Sequence, residues 1–442
     1  MCIKTDAISP TRRLLHLLLC AGIFFAGYNL TNWAAAQHAQ VGSIVFAWER
    51  QIPFLPWTII PYWSIDLLYG IAFLLCVDRA ELNRHTSRIL TAQAIAFLCF
   101  LAFPLRLAFD KPPTDGVFGA LFALLGSFDQ PYNQLPSLHI ALLVILWDLY
   151  ARRLSRRFHP AIHLWALLIG ASVLTTWQHH FIDVPTGVLL GLLCLWLWPE
   201  QGRSPLARLR LTHNRKRRRI AALYAAASLV LASGTLAGGW FLWLLWPAVS
   251  LALVAGSYAV LGPDGFQKRA DGSMPFATRL LLLPYLIGAR LNALLWTRGD
   301  PVSEIAPGVF LGRLPLWKFQ TTALATIIDL CAELPAPRHD GRHITIPALD
   351  LIPLSEEQKQ HAVDSIEAGR AEGPLLIACA LGYGRGAEAA AAWLHATGRA
   401  ASPVEARCML RAARPRIALK DDQNSRGWSG DAAVRSPSQV KH

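Results

Sequence analysis

Pro136-Ser137-Leu138-His139-Ile140-Ala141-Leu142-Leu143-Val144-Ile145-Leu146-Trp147 joins a helix-starting proline and a hydroxyl to a long apolar run. Proline suits the first turn because its missing N–H would have no intrahelical partner there. The N–H groups left free in that turn, with the Ser137 hydroxyl, make a natural seat for a phosphate. The run that follows is one of about eight apolar stretches, at 14–31, 55–77, 88–109, 137–151, 162–178, 184–199, 220–238 and 240–261. Stretches of that length predict a polytopic α-helical membrane domain. An apolar content of 53%, 16 tryptophans and 16% charged residues in 442 do not suit a wholly soluble chain.

The net charge of +13 is unevenly placed. Lys4, Arg12 and Arg13 precede the first stretch, and Arg79, Arg84 and Arg88 lie between the second and third. Arg152, Arg153, Arg156 and Arg157 follow the fourth, and Arg215-Lys216-Arg217-Arg218-Arg219 follows the sixth. These are alternate connections, which puts both termini on the cytoplasmic side of an inner (plasma) membrane and turns 110–136 and 177–183 outward. Charge so distributed is a topology signal, with contact to anionic lipid as a second role. It gives no reason to expect nucleic acid as a partner. Arg12-Arg13, the apolar run and Ala34-Ala35-Ala36 look like a signal peptide, but consistent alternation of later spans favours an uncleaved first span. The eight cysteines form no disulfide framework. Cys20, Cys76, Cys99 and Cys194 sit in apolar spans as small hydrophobes, and Cys331, Cys379 and Cys408 fall on the reducing side.

Composition divides the chain into a membrane domain over 1–200 and a segment 201–297 holding a basic connector and two further spans. An α/β domain over 298–420 and a polar, disordered tail over 421–442 follow. Residues 276–296 are apolar but punctuated by Arg279, Arg290 and Asn292, which suits a helix on the inner membrane surface or one packed on the soluble domain. In the α/β domain 309–311, 325–330, 343–347 and 374–378 read as strands, and 355–371, 386–396 and 403–413 as helices.

Two constellations carry chemistry. His139 and His179 fall at the outer ends of the fourth and fifth spans, where a histidine can attack phosphorus or protonate a departing alkoxide. Asp183 follows His179 by four residues and can hold the imidazole's other nitrogen. Pro136-Ser137-Leu138-His139 with His179-His180-Phe181-Ile182-Asp183 resembles the type 2 phosphatidic acid phosphatase superfamily, in the branch shared with inositol-phosphoryl and sphingolipid head-group transferases. That resemblance implies a six-helix core with His179 as the phosphorylated nucleophile and Asp183 as its orienting acid. His139 would be the general acid and Ser137 a phosphate ligand. His180 competes with His179, and the spacing to Asp183 favours His179. Of the family's upstream basic motif only Arg106 and Lys111 lie in the right region, and Val173 stands where an Arg normally precedes the second His.

The second constellation is Cys379-Ala380-Leu381-Gly382-Tyr383-Gly384-Arg385, between a strand-like and a helix-like segment. A strand, a tight loop and a helix start build a cradle of N–H groups that favours a thiolate and an anion. Gly382 and Gly384 allow the necessary backbone turns, and Arg385 can clamp two phosphate oxygens. From about Pro307 to Ala413 the chain looks like the dual-specificity branch of the protein tyrosine phosphatases. That resemblance makes Cys379 the phosphocysteine, Arg385 the phosphate ligand and Asp350 the acid for the leaving oxygen. Ala378 replaces the family's His and Gly386 its Ser or Thr.

Together these features predict an inner-membrane phosphatase with two modules and no metal or other cofactor. Its expected substrates are a lipid phosphate on the outer side and a phosphotyrosine, phosphoserine or phosphoinositide-like ester on the cytoplasmic side. The alternative is a lipid head-group phosphotransferase whose C-terminal domain binds phosphate as a regulator without cleaving it.

Overall fold

The computed structural model describes residues 8–127, 129–202, 204–317 and 323–419. The tail expected to be disordered, 421–442, lies outside them, as does Lys4. The chain divides into two compact units. The first comprises Met1–Leu295 with Ala332–Arg338 and Pro347–Ile352, and the second Trp296–Cys331, His339–Ile346 and Pro353–His442.

The first unit is helical: α1 (Pro10–Ala36), α2 (Ile59–Leu75), α3 (Arg79–Ala102), α4 (Gly116–Gly126), α5 (Leu138–Arg153), α6 (His159–Thr175), α7 (Asp183–Leu197), α8 (Arg215–Gly234), α9 (Leu245–Gly256), α10 (Phe276–Leu281) and α11 (Leu283–Trp296). Short polar side chains start several of them. Ser9, Asp78, Ser137 and Asn214 each accept a backbone N–H from the first turn, which satisfies donors that have no intrahelical partner. Among the described residues six helices are long and apolar enough to cross a membrane: Pro10–Ala36, Pro56–Leu75, Arg79–Ala102, Arg156–Thr175, Arg215–Ala237 and Gly239–Phe266.

The other two stretches counted from sequence form α5 and α7, of 16 and 15 residues. At 1.5 Å per residue these reach only about 24 Å, short of a hydrocarbon core of about 30 Å. They are also much more buried than α1 or α6. Their partners are other helices, so their length is set by packing and by the polar turns that start them. Helix α4 falls in a stretch read as a connection, and its faces are largely exposed and apolar.

Helix α5 packs against α2, α3, α6 and α7, and α1 packs on α3. The start of α5 and the start of α7 are joined by the Ser137 amide, which donates to the Asp183 carbonyl at 3.1 Å. Glycines let the two helices meet. A Cβ on Gly187 would stand 2.5 Å from the Ser137 carbonyl oxygen, and one on Gly191 2.7 Å from Val144 Cβ. Small residues four apart are the usual means of close helix approach in an apolar medium.

At the other end, charges read as topology signals are held by carboxylates. Arg88 is 2% exposed; it pairs with Asp148 at 3.0 Å and donates to the Trp198 carbonyl at 2.8 Å. Arg152 reaches Glu81, Asp148 and Glu200. Buried charge persists only where such partners are supplied.

The second unit holds a five-stranded sheet of β1 (Val302–Ala306), β2 (Val309–Arg313), β3 (Thr326–Cys331), β4 (Arg342–Ala348) and β5 (Leu375–Cys379), in the order β1-β2-β5-β3-β4. Strand β5 runs parallel to both neighbours and every residue in it is buried, as a central parallel strand requires. Helices α12 (Glu356–Arg370), α13 (Arg385–Ala396) and α14 (Pro403–Ala413) follow the segments expected from sequence. Strand β1 was not expected: it is an antiparallel edge with exposed polar positions.

Gly187→Ala places a methyl inside the α5–α7 contact. A cost of about 1–3 kcal/mol is expected, seen as a lower thermal midpoint of the detergent-solubilised protein.

Candidate functional site

In the first unit the turn after α6 presents two histidines in different states. The His179 Nδ1–H donates to Asp183 Oδ2 at 3.2 Å, and the His180 amide donates to the same oxygen at 2.9 Å. With Nδ1 so engaged, the lone pair of His179 is on Nε2. His180 has no nitrogen to spare. Its Nε2 accepts the Ala108 amide at 2.9 Å, so its Nδ1–H donates to Glu49 Oε2 at 3.2 Å. Glu49 also accepts the Phe181 amide at 2.8 Å and the Phe46 amide at 2.7 Å. The two histidines therefore differ in kind: His180 ties three loops together, while His179 keeps one nitrogen for other work.

Glu49 is 1% exposed. Burial alone would raise its carboxyl, but the hydrogen bonds of His180, Phe46 and Phe181 outweigh that and hold it below the usual carboxylate range. Nothing in the sequence singled it out, since one acid in a connection between helices forms no motif.

His179 lines a cavity of about 90 Å³ with Lys111, Asp129, Tyr28, Gln134 and Gln178 among its other walls. Asp129 Oδ1 accepts the Tyr28 hydroxyl at 2.8 Å. Ser137, His139 and Arg106 are not among the lining residues. Ser137 is fully buried and its hydroxyl accepts the Ile140 amide as the cap of α5. The His139 ring stacks on Tyr62 with centroids 4.3 Å apart, and its Nε2 has no protein partner among the described residues. Arg106 is exposed; its amide donates to the Gly42 carbonyl. The structure thus brings His179, Asp183 and Lys111 to one locality and gives Ser137 a capping role. Asp129 and the two glutamines went unread in the sequence because they belong to no spaced pattern.

In the second unit Cys379 ends β5 and Arg385 opens α13, the edge of a parallel sheet where α/β proteins bind ligands. The Gly382 amide donates to Cys379 Sγ at 3.2 Å. Gly382 has φ +73°, and a Cβ on it would lie 2.3 Å from the Gly312 carbonyl carbon. No other residue fits there. Arg385 is 3% exposed and its Nη1 donates to the Leu330 carbonyl at 3.3 Å.

Arg414, unread in the sequence, is fully buried. It donates to the carbonyls of Leu381, Gly382 and Asp300, at 3.2, 3.2 and 3.1 Å, and lies over the Tyr383 ring at 4.7 Å. Two loop carbonyls are thereby held on Arg414, which leaves loop amides to serve the thiol. Ala378 pairs across the ladder with Asp329. Asp329 accepts from the Cys331 amide at 2.9 Å and meets His343 Nε2 at 3.2 Å. Asp350 lies in the turn after β4, in a segment grouped with the first unit, where its backbone carbonyl accepts the Tyr258 hydroxyl at 3.0 Å. Among the described residues no cluster of three or more His, Cys, Asp or Glu could hold a metal ion.

No protein-family model matches the sequence, nor does any curated protein. Solved structures do align with part of it. Human DUSP28 is 24% identical over 27% of this chain and 84% of its own, with a TM-score of 0.25. PTPMT1 in complex with PI(5)P is 18% identical over 27% and 88%, at 0.25. Tk-PTP in its active form is 24% identical over 28% and 90%, at 0.25.

Two outcomes test these geometries. A carboxylate held low stabilises the fold above the ordinary range, about 4.3 for Glu, and that stability is lost as pH falls through the folded value. Wild type should therefore be more stable than Glu49→Gln at pH 7, and their thermal midpoints should converge as pH drops below about 4. A Cβ on Gly386 would stand 3.7 Å from Cys379 Sγ and 3.1 Å from Leu311 Cδ1. Gly386→Ser, once Leu311 yields, sets a hydroxyl beside the sulfur. A hydrogen bond to a charged group is worth roughly 1.5–3 kcal/mol, so Cys379 alkylation by iodoacetamide at pH 7 should quicken severalfold.

Proposed function

We propose that the chain is a membrane phosphatase with two independent sites. The observation that carries this reading for the membrane unit is the division of labour at 179–183. His179 donates through Nδ1 to Asp183 and faces a cavity with Lys111, whereas His180 is spent on Ala108 and Glu49. In the proposed mechanism His179 Nε2 attacks the phosphorus of a lipid phosphate and Lys111 offsets the charge on its oxygens. Asp183 stabilises the imidazolium while the ester oxygen leaves, and His139 gives that oxygen its proton. Water then releases phosphate from the phosphohistidine. The alternation of basic connections supports an outward position for this chemistry, in an inner membrane with both termini cytoplasmic.

The second site would act on the cytoplasmic side. Its support is the cradle itself: a cysteine at the end of a central parallel strand, a loop amide on its sulfur and an arginine at the start of the next helix. Cys379 would take the phosphoryl group of a phosphotyrosine, phosphoserine or phosphoinositide-like ester, with Arg385 swinging from Leu330 to the phosphate oxygens. Asp350 would protonate the leaving oxygen. Gly386 offers no hydroxyl to help the sulfur leave, so breakdown of the phosphocysteine is the slow step in this reading.

Phosphate release from phosphatidate micelles and from phosphopeptides separates the sites. His179→Ala should abolish lipid-phosphate release, by about 10³-fold or more, and spare phosphopeptide hydrolysis. Cys379→Ser should do the reverse. Lipid-phosphate release that survives His179→Ala would end the membrane-site reading. An unchanged phosphopeptide rate in Cys379→Ser would make the second unit a phosphate-binding regulator.

A further inference from the structure

The cavity that holds His179 has a polar wall that a bound phosphoryl group does not explain. Lys111 suits phosphate oxygens, but Asp129 lines the same space and repels them. The Tyr28 hydroxyl bonds Asp129 Oδ1 at 2.8 Å, and Oδ2 carries no hydrogen bond from a described residue. Two side-chain amides complete the wall. Gln134 and Gln178 are 4% and 8% exposed. Gln134 spends its Nε2 on the Tyr132 carbonyl at 3.1 Å, while Gln134 Oε1 and Gln178 Nε2 have no protein partner among the described residues. Buried polar groups are normally hydrogen-bonded, to protein or to ordered water. These three match a single water molecule, which donates twice and accepts twice. The Asp129 and Gln134 oxygens take its two protons and the Gln178 N–H takes one lone pair, so one lone pair is left to attack. A water needs about 10–15 Å³ of cavity, so a space of about 90 Å³ holds one beside the oxygens of a phosphoryl group.

We propose that this wall seats the hydrolytic water of the His179 site and that Asp129 is the base that activates it. The inference rests on the reading of His179 as the phosphorylated nucleophile, and it supplies the residue that drives the second step. The water oxygen attacks the phosphorus while the P–Nε2 bond breaks and its electron pair returns to His179. One water proton passes to the Asp129 carboxylate, and the phosphoryl group leaves as inorganic phosphate. Asp129 then gives its proton to solvent. Burial pushes the Asp129 carboxyl above the usual carboxylate range, which suits a group that must take a proton. Tyr28 is a positioning residue, since its hydroxyl holds Oδ1 and leaves Oδ2 for the water. His139 is not among the residues that line the cavity. The two proton transfers thus fall to different side chains, His139 for the ester oxygen and Asp129 for water.

The experiment uses the full chain in detergent with phosphatidate labelled at phosphorus. Reactions are stopped in alkali, where phosphohistidine survives, and the labelled peptide is identified by mass after digestion. Wild type should release free phosphate and show little label on His179. Asp129→Asn should release phosphate more slowly by about 10²-fold or more and carry label on His179, because the phosphoenzyme forms and does not break down. Gln134→Ala should show the same build-up to a smaller extent. His139→Asn should also slow release but leave His179 unlabelled, because it fails before the phosphoenzyme forms. Release at the wild-type rate in Asp129→Asn would overturn the proposal, and so would slow release with His179 unlabelled. If Asp129→Asn does not fold, label on His179 no higher in Gln134→Ala than in wild type overturns it. Lipid-phosphate release that persists in His179→Ala would instead overturn the phosphohistidine reading beneath it.

Discussion

The first unit turns on one backbone bond, from the Ser137 amide to the Asp183 carbonyl. It joins the starts of two helices that come from different hairpins. Gly187 makes it possible, because any side chain there would strike the Ser137 carbonyl. With α5 and α7 so joined, Asp183 is held where His179 can reach it, and the turn 176–182 has little freedom left. Glu49 completes the constraint from a third segment by taking His180 and the Phe181 amide. The nucleophile in the proposed chemistry is thus aimed by the Asp183 carboxylate, which backbone contacts hold in place. Such second-tier bonding is what holds a reacting group within fractions of an ångström of its working position.

A similar logic governs the second unit with different parts. There a loop must present amides to a sulfur, which leaves its carbonyls needing partners of their own. Arg414 supplies them for Leu381 and Gly382. A Cβ on Gly382 would strike the Gly312 backbone, and one on Gly312 would strike the Pro301 carbonyl and Val302. In both units glycine sets the approach distance, and a charged side chain far along the chain fixes the result.

Much of this was legible in the sequence, for identifiable reasons. Strands β2 to β5 and helices α12 to α14 showed apolar runs or periods with boundary residues, because each is buried on one face or, as in β3 and β5, on both. Strand β1 did not, since it is an exposed edge whose composition resembles a loop. The apolar segments were plain, but α5 and α7 are helices among helices and need not match a bilayer in length. The histidine and cysteine motifs stood out because their spacing is local. Glu49, Asp129, Gln134 and Arg414 did not, because each gains its meaning from a partner many residues away. The choice between His179 and His180 rested on a count of residues to Asp183. The hydrogen bonds add that His180 is fully occupied.

Arg414 has a consequence for how the protein is made. The loop at 380–384 leaves the ribosome some thirty residues before the side chain that takes its carbonyls. Until Arg414 arrives, those carbonyls must be met by water, and the loop has no reason to keep its amides on the sulfur. The apolar helices of the first unit, by contrast, are complete more than a hundred residues earlier. The thiol therefore emerges as an ordinary cysteine and acquires its cradle only once Arg414 has been made, after the apolar helices of the first unit have been laid down.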